Sequence, residues 1–253
     1  MSETERKRWS SSAHERKVEN LYSGGVENFA NWHNGYLNFG LWESGNTDYI
    51  KAAENLVQRM GNILGLNETS RLLDVAPGMG TQDIYLLKNF APESIDGLDV
   101  TWKHIEHGRR RSLEADAEDR VRFHHGTAIE LPFPDGSFTH VLSIEGPEHF
   151  DTREKFLHEA RRVLQPGGVI AMADFIVKNP PRNLIEKLVR NGLCQKFRVP
   201  ADDALRRMLR HPWEIIRRIQ ISSLGYSEVL LRSGTTRSPT PAFQKLFAGF
   251  HLD

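Results

Sequence analysis

Cysteine is nearly absent from this sequence, and long apolar runs are missing. Cys194 is the single cysteine among 253 residues, so neither an internal disulfide framework nor a cysteine-based metal site can form. No stretch approaches the roughly 20 apolar residues that span a membrane, and residues 1–20 are too polar for a secretory signal. These absences predict a cytoplasmic protein without stable membrane insertion.

An excess of charge of one sign is also missing. Lysine plus arginine and aspartate plus glutamate both number 33, so the formal net charge is zero. Such a balance creates no long-range field for nucleic acid, and we expect no nucleic-acid partner. The histidines of 104–107 and 124–125 stand without carboxylates at the spacing of a recognisable zinc site, so we expect no bound metal.

From residue 71 onward the sequence alternates between short apolar strands and helices. The predicted strands are RLLDVA (71–76), SIDGLDV (94–100), VRFHHG (121–126), SFTHVLSIE (137–145) and VIAMADFIV (169–177). This alternation predicts an α/β fold, a Rossmann-like, doubly wound and mostly parallel sheet with helices on both faces. Ligands bind such sheets at the carboxyl ends of the strands.

We divide the chain into four regions around that alternation. They are an N-terminal extension at 1–47, the core at 48–178, an insertion at 179–225, and a last strand with a C-terminal segment at 226–253. We assign SEVLLR (227–232) to strand six and expect no further strand after it. The open edge of the sheet would then be covered by another segment or by a second copy of the chain in a homodimer.

A glycine loop, DVAPGMGTQD (74–83), follows the first strand. Gly78 and Gly80 let a ligand approach the backbone closely, although a purely structural turn uses the same residues. A dinucleotide fingerprint requires a third glycine where Asp83 stands, and the carboxylates of Asp74 and Asp83 oppose an anionic pyrophosphate. S-adenosylmethionine (SAM) carries an ammonium and a sulfonium, so the charges favour SAM over NAD.

Asp99 ends the second strand about 20 residues beyond the glycine loop. An acid at this position can hydrogen-bond both hydroxyls of a ribose. The competing interpretation is that Asp99 merely caps the helix that follows.

Four segments together carry a resemblance to a known family. They are LLDVAPGMG (72–80), GLDVT (97–101), GTAIELPFPDGSFTHV (126–141) and ARRVLQPGGVIAMADF (160–175). In order and spacing they resemble the SAM-binding motifs of class I SAM-dependent methyltransferases. The nearest branch is that of the sterol, tocopherol and sugar-O-methyltransferases, in which LNFGLWE (37–43) recurs in similar form.

The resemblance implies a SAM site whose product is S-adenosylhomocysteine (SAH). The residues implied to contact the cofactor are Tyr22, Asp74, Ala76, Gly78, Gly80, Gln82, Asp99, Val100, Thr101, Thr127, Ala128 and Glu145. It also implies that residues 1–47 include a helical lid and that 179–225 is a helical insertion covering the acceptor. Two positions depart from the family pattern: Ala76-Pro77 replaces a commoner glycine-rich run, and Thr127 stands where an Asp usually reaches the adenine amino group.

The predicted catalytic residues follow the fourth and fifth strands. His149 titrates near neutral pH and can act as general base for a hydroxyl or amine acceptor; alternatively it caps a helix or packs against SAM. The resemblance pairs His149 with Asp174, and it places Glu145 near the cofactor or a cationic intermediate.

These patterns predict a SAM-dependent methyltransferase with a small-molecule acceptor. The apolar positions of 179–225 favour a lipophilic or aromatic acceptor, such as a natural product, methylated on O, N or C. Two alternatives remain open: a SAM-fold protein without methyl transfer, and an NAD(P)-dependent oxidoreductase.

Overall fold

The computed structural model describes residues 12–43, 45–175, 213–220 and 226–233. Its described strands are β1 (Arg71–Val75), β2 (Ser94–Asp99), β3 (Val121–His125), β4 (Phe138–Ile144), β5 (Leu164–Phe175), β6 (Trp213–Gln220) and β7 (Tyr226–Ser233). Its described α-helices are α1 (Ala13–Ser23), α2 (Val26–Trp32), α3 (Tyr49–Leu64), α4 (Thr81–Phe90), α5 (Trp102–Glu114) and α6 (Arg153–Val163). A 3₁₀ turn, Pro147–His149, follows β4.

The strands form one sheet in the order β3–β2–β1–β4–β5–β7–β6. Strands β1 to β5 pair in parallel, and the strand order reverses between β1 and β4. Residues 72–75 of β1 are buried, because helices cover the central strands on both faces. The predicted α/β, Rossmann-like, doubly wound sheet is confirmed.

Two hydrophobic clusters lie against the sheet. One contains Phe156 and Val163 of α6, and the other contains Leu56 and Met60 of α3 together with Ile105 of α5. Most apolar positions of α3 recur at helical spacing and are buried, whereas its polar positions are exposed or half-buried. Such burial on both faces holds the strand ends rigid, and the candidate site lies at their carboxyl ends.

The far edge of the sheet differs from our expectation. We assigned 227–232 to strand six and placed 213–220 in a helical insertion, but Trp213–Gln220 is itself a strand. The later strand β7 is antiparallel to both β5 and β6 and lies between them. The predicted absence of a last antiparallel strand is therefore wrong, because the segment we took for strand six is that last strand.

Helix boundaries follow local capping chemistry. Asp48 accepts hydrogen bonds from the first turn of α3, and Gly65 ends that helix at φ 69°. Thr152 accepts from Lys155 N and begins α6. At its other end α6 runs directly into β5 at Leu164, which pairs with Phe138.

The described N-terminal region is helical and lies next to the strand ends. Helix α1 begins with a capping box, in which Ser12 and Glu15 each satisfy the other's backbone N–H. Its contacts are with α5 and with the loops that follow β3 and β4. In the part of the chain that the structure describes, no helix is long and apolar enough to cross a membrane.

Candidate functional site

A cavity lies at the carboxyl ends of β1 to β4, under α1 and the segment 35–38. Eleven of the residues predicted to bind cofactor or to catalyse line this cavity, namely Tyr22, Ala76, Gly78, Gln82, Asp99, Val100, Thr101, Thr127, Ala128, Glu145 and His149. Asp74, Gly80 and Asp174 do not line it. The structure thus brings together side chains that are up to 127 positions apart in sequence, such as Tyr22 and His149.

The glycine loop approaches the cavity through Gly78 rather than Gly80. Gly78 has φ 60°, a conformation that favours glycine, and a Cβ there would lie 2.9 Å from Leu37 Cδ1 in the 35–38 segment. A Cβ on Gly80 would lie 2.6 Å from Phe123 Cζ and 2.8 Å from Gly108 Cα. Gly80 therefore allows the close packing of α4 against α5 and β3, and its predicted contact with the cofactor stays a prediction.

Asp99 joins the end of β2 to the glycine loop. Its Oδ2 accepts from Gly78 N at 3.2 Å, and its Oδ1 accepts from Thr101 N at 2.8 Å. His104 Nδ1 lies 3.2 Å from Oδ2. Both interpretations of this residue are thus compatible with the structure, because the carboxylate holds the start of α5 and also faces the cavity.

Asp74 lies beneath the loop rather than at the cavity. It is fully buried beside Asp83, and Gln82 Nε2 donates to its Oδ2 at 2.6 Å. Burial raises the pKa of Asp74 to about 7, and burial together with the neighbouring Asp74 charge raises the pKa of Asp83. Gln82, which bonds to Asp74, lines the cavity, whereas Asp74 itself does not, and the predicted contact of Asp74 with the cofactor stays a prediction.

Beyond β3, the cavity is lined by Thr127 and by a carboxylate from α1. The Thr127 hydroxyl donates to Glu15 Oε1, and both side chains are buried. Thr127 is the position where the family usually carries an Asp. The structure supplies a carboxylate at this end of the cavity from Glu15, which our sequence analysis did not single out.

Glu145 follows β4 in a strained backbone conformation, with φ 52° in a residue other than glycine. Its Oε2 accepts from Phe39 N at 2.9 Å, so the predicted catalytic carboxylate also anchors the segment 35–39 over the cavity. Next to it, a Cβ on Gly146 would lie 2.6 Å from Ala76 Cβ. The two loops after β1 and β4 are therefore in close contact at the point where the strand order reverses.

His149 ends the 3₁₀ turn and faces helix α1. The Tyr22 hydroxyl lies 2.7 Å from His149 Nε2, and His14 Nε2 lies 2.8 Å from the backbone oxygen of His149. Burial lowers the pKa of His149 to about 4, and burial raises the pKa of Tyr22. At neutral pH the pair is therefore a protonated phenol beside a neutral imidazole.

Asp174 lies on β5 behind this pair and holds an arginine. Arg153 Nε and Nη2 donate to the two oxygens of Asp174 at 2.6 and 3.0 Å, and both side chains are 6% exposed. Burial raises the pKa of the nearby Glu148 well above its usual value, with further contributions from Asp174 and Glu145. Asp174 is thus paired with Arg153 at the base of α6, and its predicted catalytic role beside His149 stays a prediction.

The charges of the cavity fit SAM better than a dinucleotide. Glu15, Asp99, Glu145 and Asp151 line it, whereas its described lining contains no lysine or arginine. The side chains of Asn38, Thr101 and His104 also face it, with buried polar atoms that lack a hydrogen-bond partner. Carboxylates attract an ammonium and a sulfonium, and the unpartnered polar atoms match a ligand rich in hydroxyl and amino groups.

No group of three or more His, Cys, Asp or Glu side chains within the described ranges could hold a metal ion.

A family model described as a methyltransferase domain matches residues 73–172. This part of the chain therefore resembles a methyltransferase domain, in agreement with the class I SAM-dependent methyltransferase motifs of the sequence. Residues 73–172 extend from the end of β1 through most of β5 and contain every predicted site residue except Tyr22 and Asp174. SAM is the cofactor of this class.

Two curated relatives of the methyltransferase domain are O-methyltransferases by name or by substrate. An erythromycin 3''-O-methyltransferase from Saccharopolyspora erythraea is 35% identical over 56% of this chain and 46% of its own length. A 27-O-demethylrifamycin SV methyltransferase from Amycolatopsis mediterranei is 33% identical over 58% of this chain and 54% of its own length. The chain spans about half the length of the curated relatives it matches.

Two solved structures have a fold similar to that of most of this chain. The [4+2]-cyclase SpnF superposes with a TM-score of 0.77 at 18% identity, covering 87% of this chain and 97% of the cyclase. Geranyl diphosphate C-methyltransferase from Streptomyces coelicolor A3(2) superposes with a TM-score of 0.75 at 13% identity, covering 89% and 99%. The methyltransferase fold thus hosts different reactions, and the site has to decide among them.

Several residues that line the cavity were not predicted as site residues from the sequence. Glu15, Asn38 and His104 lie on α1, in the 35–39 segment and on α5, outside the four motifs. The recurrence of LNFGLWE was a signal for Asn38. Nothing comparable marked Glu15, because a capping box alone accounts for a glutamate at the third position of a helix.

Proposed function

We propose that this chain is a SAM-dependent methyltransferase that methylates a hydroxyl group of a small, natural-product-like acceptor. The observation that carries the proposal is the acid-lined cavity at the strand ends, which also contains the Tyr22–His149 pair. Support for a hydroxyl acceptor comes from the two O-methyltransferase relatives. Nitrogen and carbon acceptors are the alternatives that the experiment below tests.

We infer an orientation for the cofactor from the residues that line the cavity. Asp99, at the end of β2, would hold the ribose, as acids at this position do in nucleotide-binding sheets. The base would then lie toward the end of β3, where Val100, Ala128 and Phe150 line an apolar slot that ends at Glu15 and Thr127. The methionine part would lie toward the glycine loop. When bound, SAM supplies a methyl group activated by the positive sulfonium.

Tyr22 and His149 would remove the proton that the acceptor hydroxyl loses. His149 is neutral at physiological pH because burial lowers its pKa to about 4, so one of its ring nitrogens can accept a proton. A proton leaving the acceptor can reach Nε2 through the Tyr22 hydroxyl, which accepts from the acceptor while donating to the imidazole. Glu145 would act by fixing the 35–39 segment over the cavity through Phe39 N.

Asp174 would contribute indirectly in this mechanism. Its carboxylate is held by Arg153 at two points, so we assign it the task of fixing the base of α6 and the turn that carries His149. The acceptor would enter beside the 35–39 segment; apart from β6, the predicted insertion at 179–225 lies outside the described residues. We place the enzyme in the cytoplasm and retain 48–178 as the cofactor-binding core.

The alternatives predict different behaviour. An NAD(P)-dependent oxidoreductase needs to bind an anionic pyrophosphate, and the acid-lined cavity disfavours this ligand. A SAM-fold protein without methyl transfer would bind SAH and yet release none from SAM in the presence of acceptors. The similar fold of a cyclase does not favour a protein without methyl transfer, because Tyr22 and His149 are hydrogen-bonded in an arrangement that allows proton transfer.

The test combines binding with transfer. Purified full-length chain is titrated with SAH and with NADH, then incubated with methyl-labelled SAM and a panel of hydroxylated macrolide, quinone and phenol acceptors, plus extract of producing cells. We expect SAH binding and label in an organic-soluble ether product, with Asp99→Asn reducing both and the exposed-site control Lys17→Ala reducing neither. Binding of NADH without SAH, or label confined to protein or nucleic acid, would overturn the proposal.

A further inference from the structure

Asn38 is a buried amide that lacks a hydrogen-bond partner at both of its polar atoms. Its side chain is 4% exposed and lines the cavity, and neither Nδ2 nor Oδ1 bonds to any residue the structure describes. A buried polar group without a partner destabilises a protein by about 1–3 kcal/mol. Such groups are rare in native proteins and require an explanation, and for an amide that lines a cavity a bound ligand provides one.

The backbone on both sides of Asn38 is held in place. Tyr49 donates from its hydroxyl to the backbone oxygen of Asn38 at 2.5 Å, and Phe39 N donates to Glu145 Oε2 at 2.9 Å. On the other side, Leu37 packs onto Gly78 of the glycine loop. Three separate elements therefore fix the position of the amide, which is preorganised for a ligand rather than left over from a mobile loop.

The position of Asn38 identifies which part of a ligand it meets. The segment that carries it bridges Gly78, after β1, and Glu145, after β4. Glu15 and Thr127 occupy the opposite end of the cavity, beyond β3, because β3 and β4 lie on opposite sides of β1 in the sheet. With the ribose at Asp99, the group that reaches Asn38 is the amino-acid end of the cofactor.

The chemistry of a carboxamide suits that end. An α-amino acid presents a carboxylate and an ammonium on one carbon, and a carboxamide offers a donor and an acceptor together. No lysine or arginine in the described lining could pair with the carboxylate. Gln82, the other amide in the lining, already donates to Asp74.

We propose that the Asn38 side chain binds the zwitterionic amino-acid end of the cofactor, with Nδ2 donating to its carboxylate and Oδ1 accepting from its ammonium. This inference rests on the proposed function, because it requires that the cavity holds SAM. It assigns a binding role to the segment LNFGLWE, to which our sequence analysis gave none.

The decisive experiment compares two ligands that differ in the amino-acid end. SAH carries it, whereas 5'-methylthioadenosine has the same nucleoside and ends in a methyl group. Calorimetric titration of the full chain should show that Asn38→Ala weakens SAH about 10- to 100-fold and changes 5'-methylthioadenosine affinity less than about 2-fold. The matched control, Asn31→Ala, replaces an exposed asparagine of α2 and should change neither.

Asn38→Leu separates binding from folding. Leucine has nearly the shape of asparagine and removes the unpartnered polar atoms, so the ligand-free variant should melt no lower than wild type. Its SAH-induced rise in Tm should nevertheless be smaller than that of wild type. A structural role for the amide would give the reverse, a lower Tm without ligand and an unchanged rise with SAH.

The outcomes distinguish this inference from the function on which it rests. Equal weakening of both ligands, or undiminished SAH affinity in Asn38→Ala, would overturn the role of Asn38 while leaving SAM binding intact. A wild-type chain that binds neither ligand would overturn the proposed function, and the assignment of Asn38 with it.

Discussion

At the scale of single residues, the cavity changes side-chain chemistry chiefly by excluding water. Tyr22 and His149 share a hydrogen bond of 2.7 Å in a buried setting, and burial shifts both pKa values toward the uncharged forms. Free histidine has a pKa near neutrality and would be partly protonated in the cell. Within this site the imidazole stays a base, at the cost of lower intrinsic basicity.

Replacing His149 should therefore affect turnover much more than cofactor binding. We expect His149→Gln to lower kcat by about 10²–10⁴-fold, the usual contribution of a general base, while SAH affinity changes less than about 3-fold. Single-turnover rates with labelled SAM, beside SAH titrations, measure the two quantities. Near-normal kcat in this variant would remove His149 from the mechanism.

The same residue sets a prediction for pH. A pKa of about 4 means that His149 is in its base form from pH 5 upward, so the rate should stay level between pH 6 and pH 8 and fall only as pH drops toward 4. An unperturbed histidine would instead halve the rate near pH 6.5. Rates measured at saturating SAM and acceptor decide between these profiles, and a fall centred near 6.5 would contradict the buried, neutral imidazole.

At the scale of elements, the base of α6 is joined to β5 by the buried pair of Arg153 and Asp174. Such a pair is costly to break, because the surviving charge stays buried without its partner. We expect Arg153→Met to reduce the free energy of unfolding by about 3–5 kcal/mol. Urea denaturation of the variant beside wild type measures this loss.

A double variant separates the structural task of Asp174 from catalysis. Arg153→Met combined with Asp174→Leu removes both charges, so most of the stability lost in the single variant should return. If Asp174 only fixes α6, this stable double variant should keep SAH affinity and a measurable rate. A stable double variant with wild-type SAH affinity and no turnover would instead return Asp174 to the catalytic group that sequence reasoning proposed.

Several elements of the core could be predicted from the sequence because the residues that determine them are close together in the chain. The strand 71–75, the turn at Gly78 and the start of α6 at Thr152 each depend on residues within one turn of the chain. Strand β6 could not be predicted in this way. WEIIRRIQ (213–220) mixes apolar and charged residues in a pattern that fits a helix or a strand, and its pairing with β7 decides between them.

The site residues likewise fall into those that the sequence could predict and those that depend on contacts between segments far apart in the chain. Asp99 and Thr127 follow predicted strands, so topology alone brings them to one edge of the sheet. Glu15 meets Thr127 across 112 positions, and Phe39 meets Glu145 across 106. Neither contact has a signal within its own segment, because each depends on how the N-terminal helices lie over the finished sheet.

At the scale of the whole molecule, the stability of this protein should depend on two opposed kinds of carboxylate. Asp74 and Asp83 are fully buried side by side, and burial raises both pKa values, to about 7 for Asp74. Asp96 is paired with His124 at 2.7 Å and with Arg122 at 3.3 Å, and these partners lower its pKa although partial burial acts against them. The first two carboxyl groups prefer to be protonated in the folded state, and the third prefers to be charged.

Because these pKa shifts have opposite directions, we expect Asp→Asn substitutions at positions 83 and 96 to change the stability at pH 8 in opposite directions. The folded state with Asp74 and Asp83 binds more protons than the unfolded chain between about pH 4 and pH 7, so their stabilising contribution is lost as pH rises through that window. Asn at position 83 can donate a hydrogen bond to Asp74 and carries no charge. The free energy of unfolding of Asp83→Asn should therefore exceed that of wild type by about 1–3 kcal/mol at pH 8 and should equal it at pH 5. Asp96→Asn loses a contribution that is present above the usual Asp pKa, so it should be less stable than wild type at both values of pH. Urea unfolding at pH 5 and pH 8 measures all three proteins, and an Asp83→Asn variant that is destabilised at pH 8 would show that the buried pair is held charged.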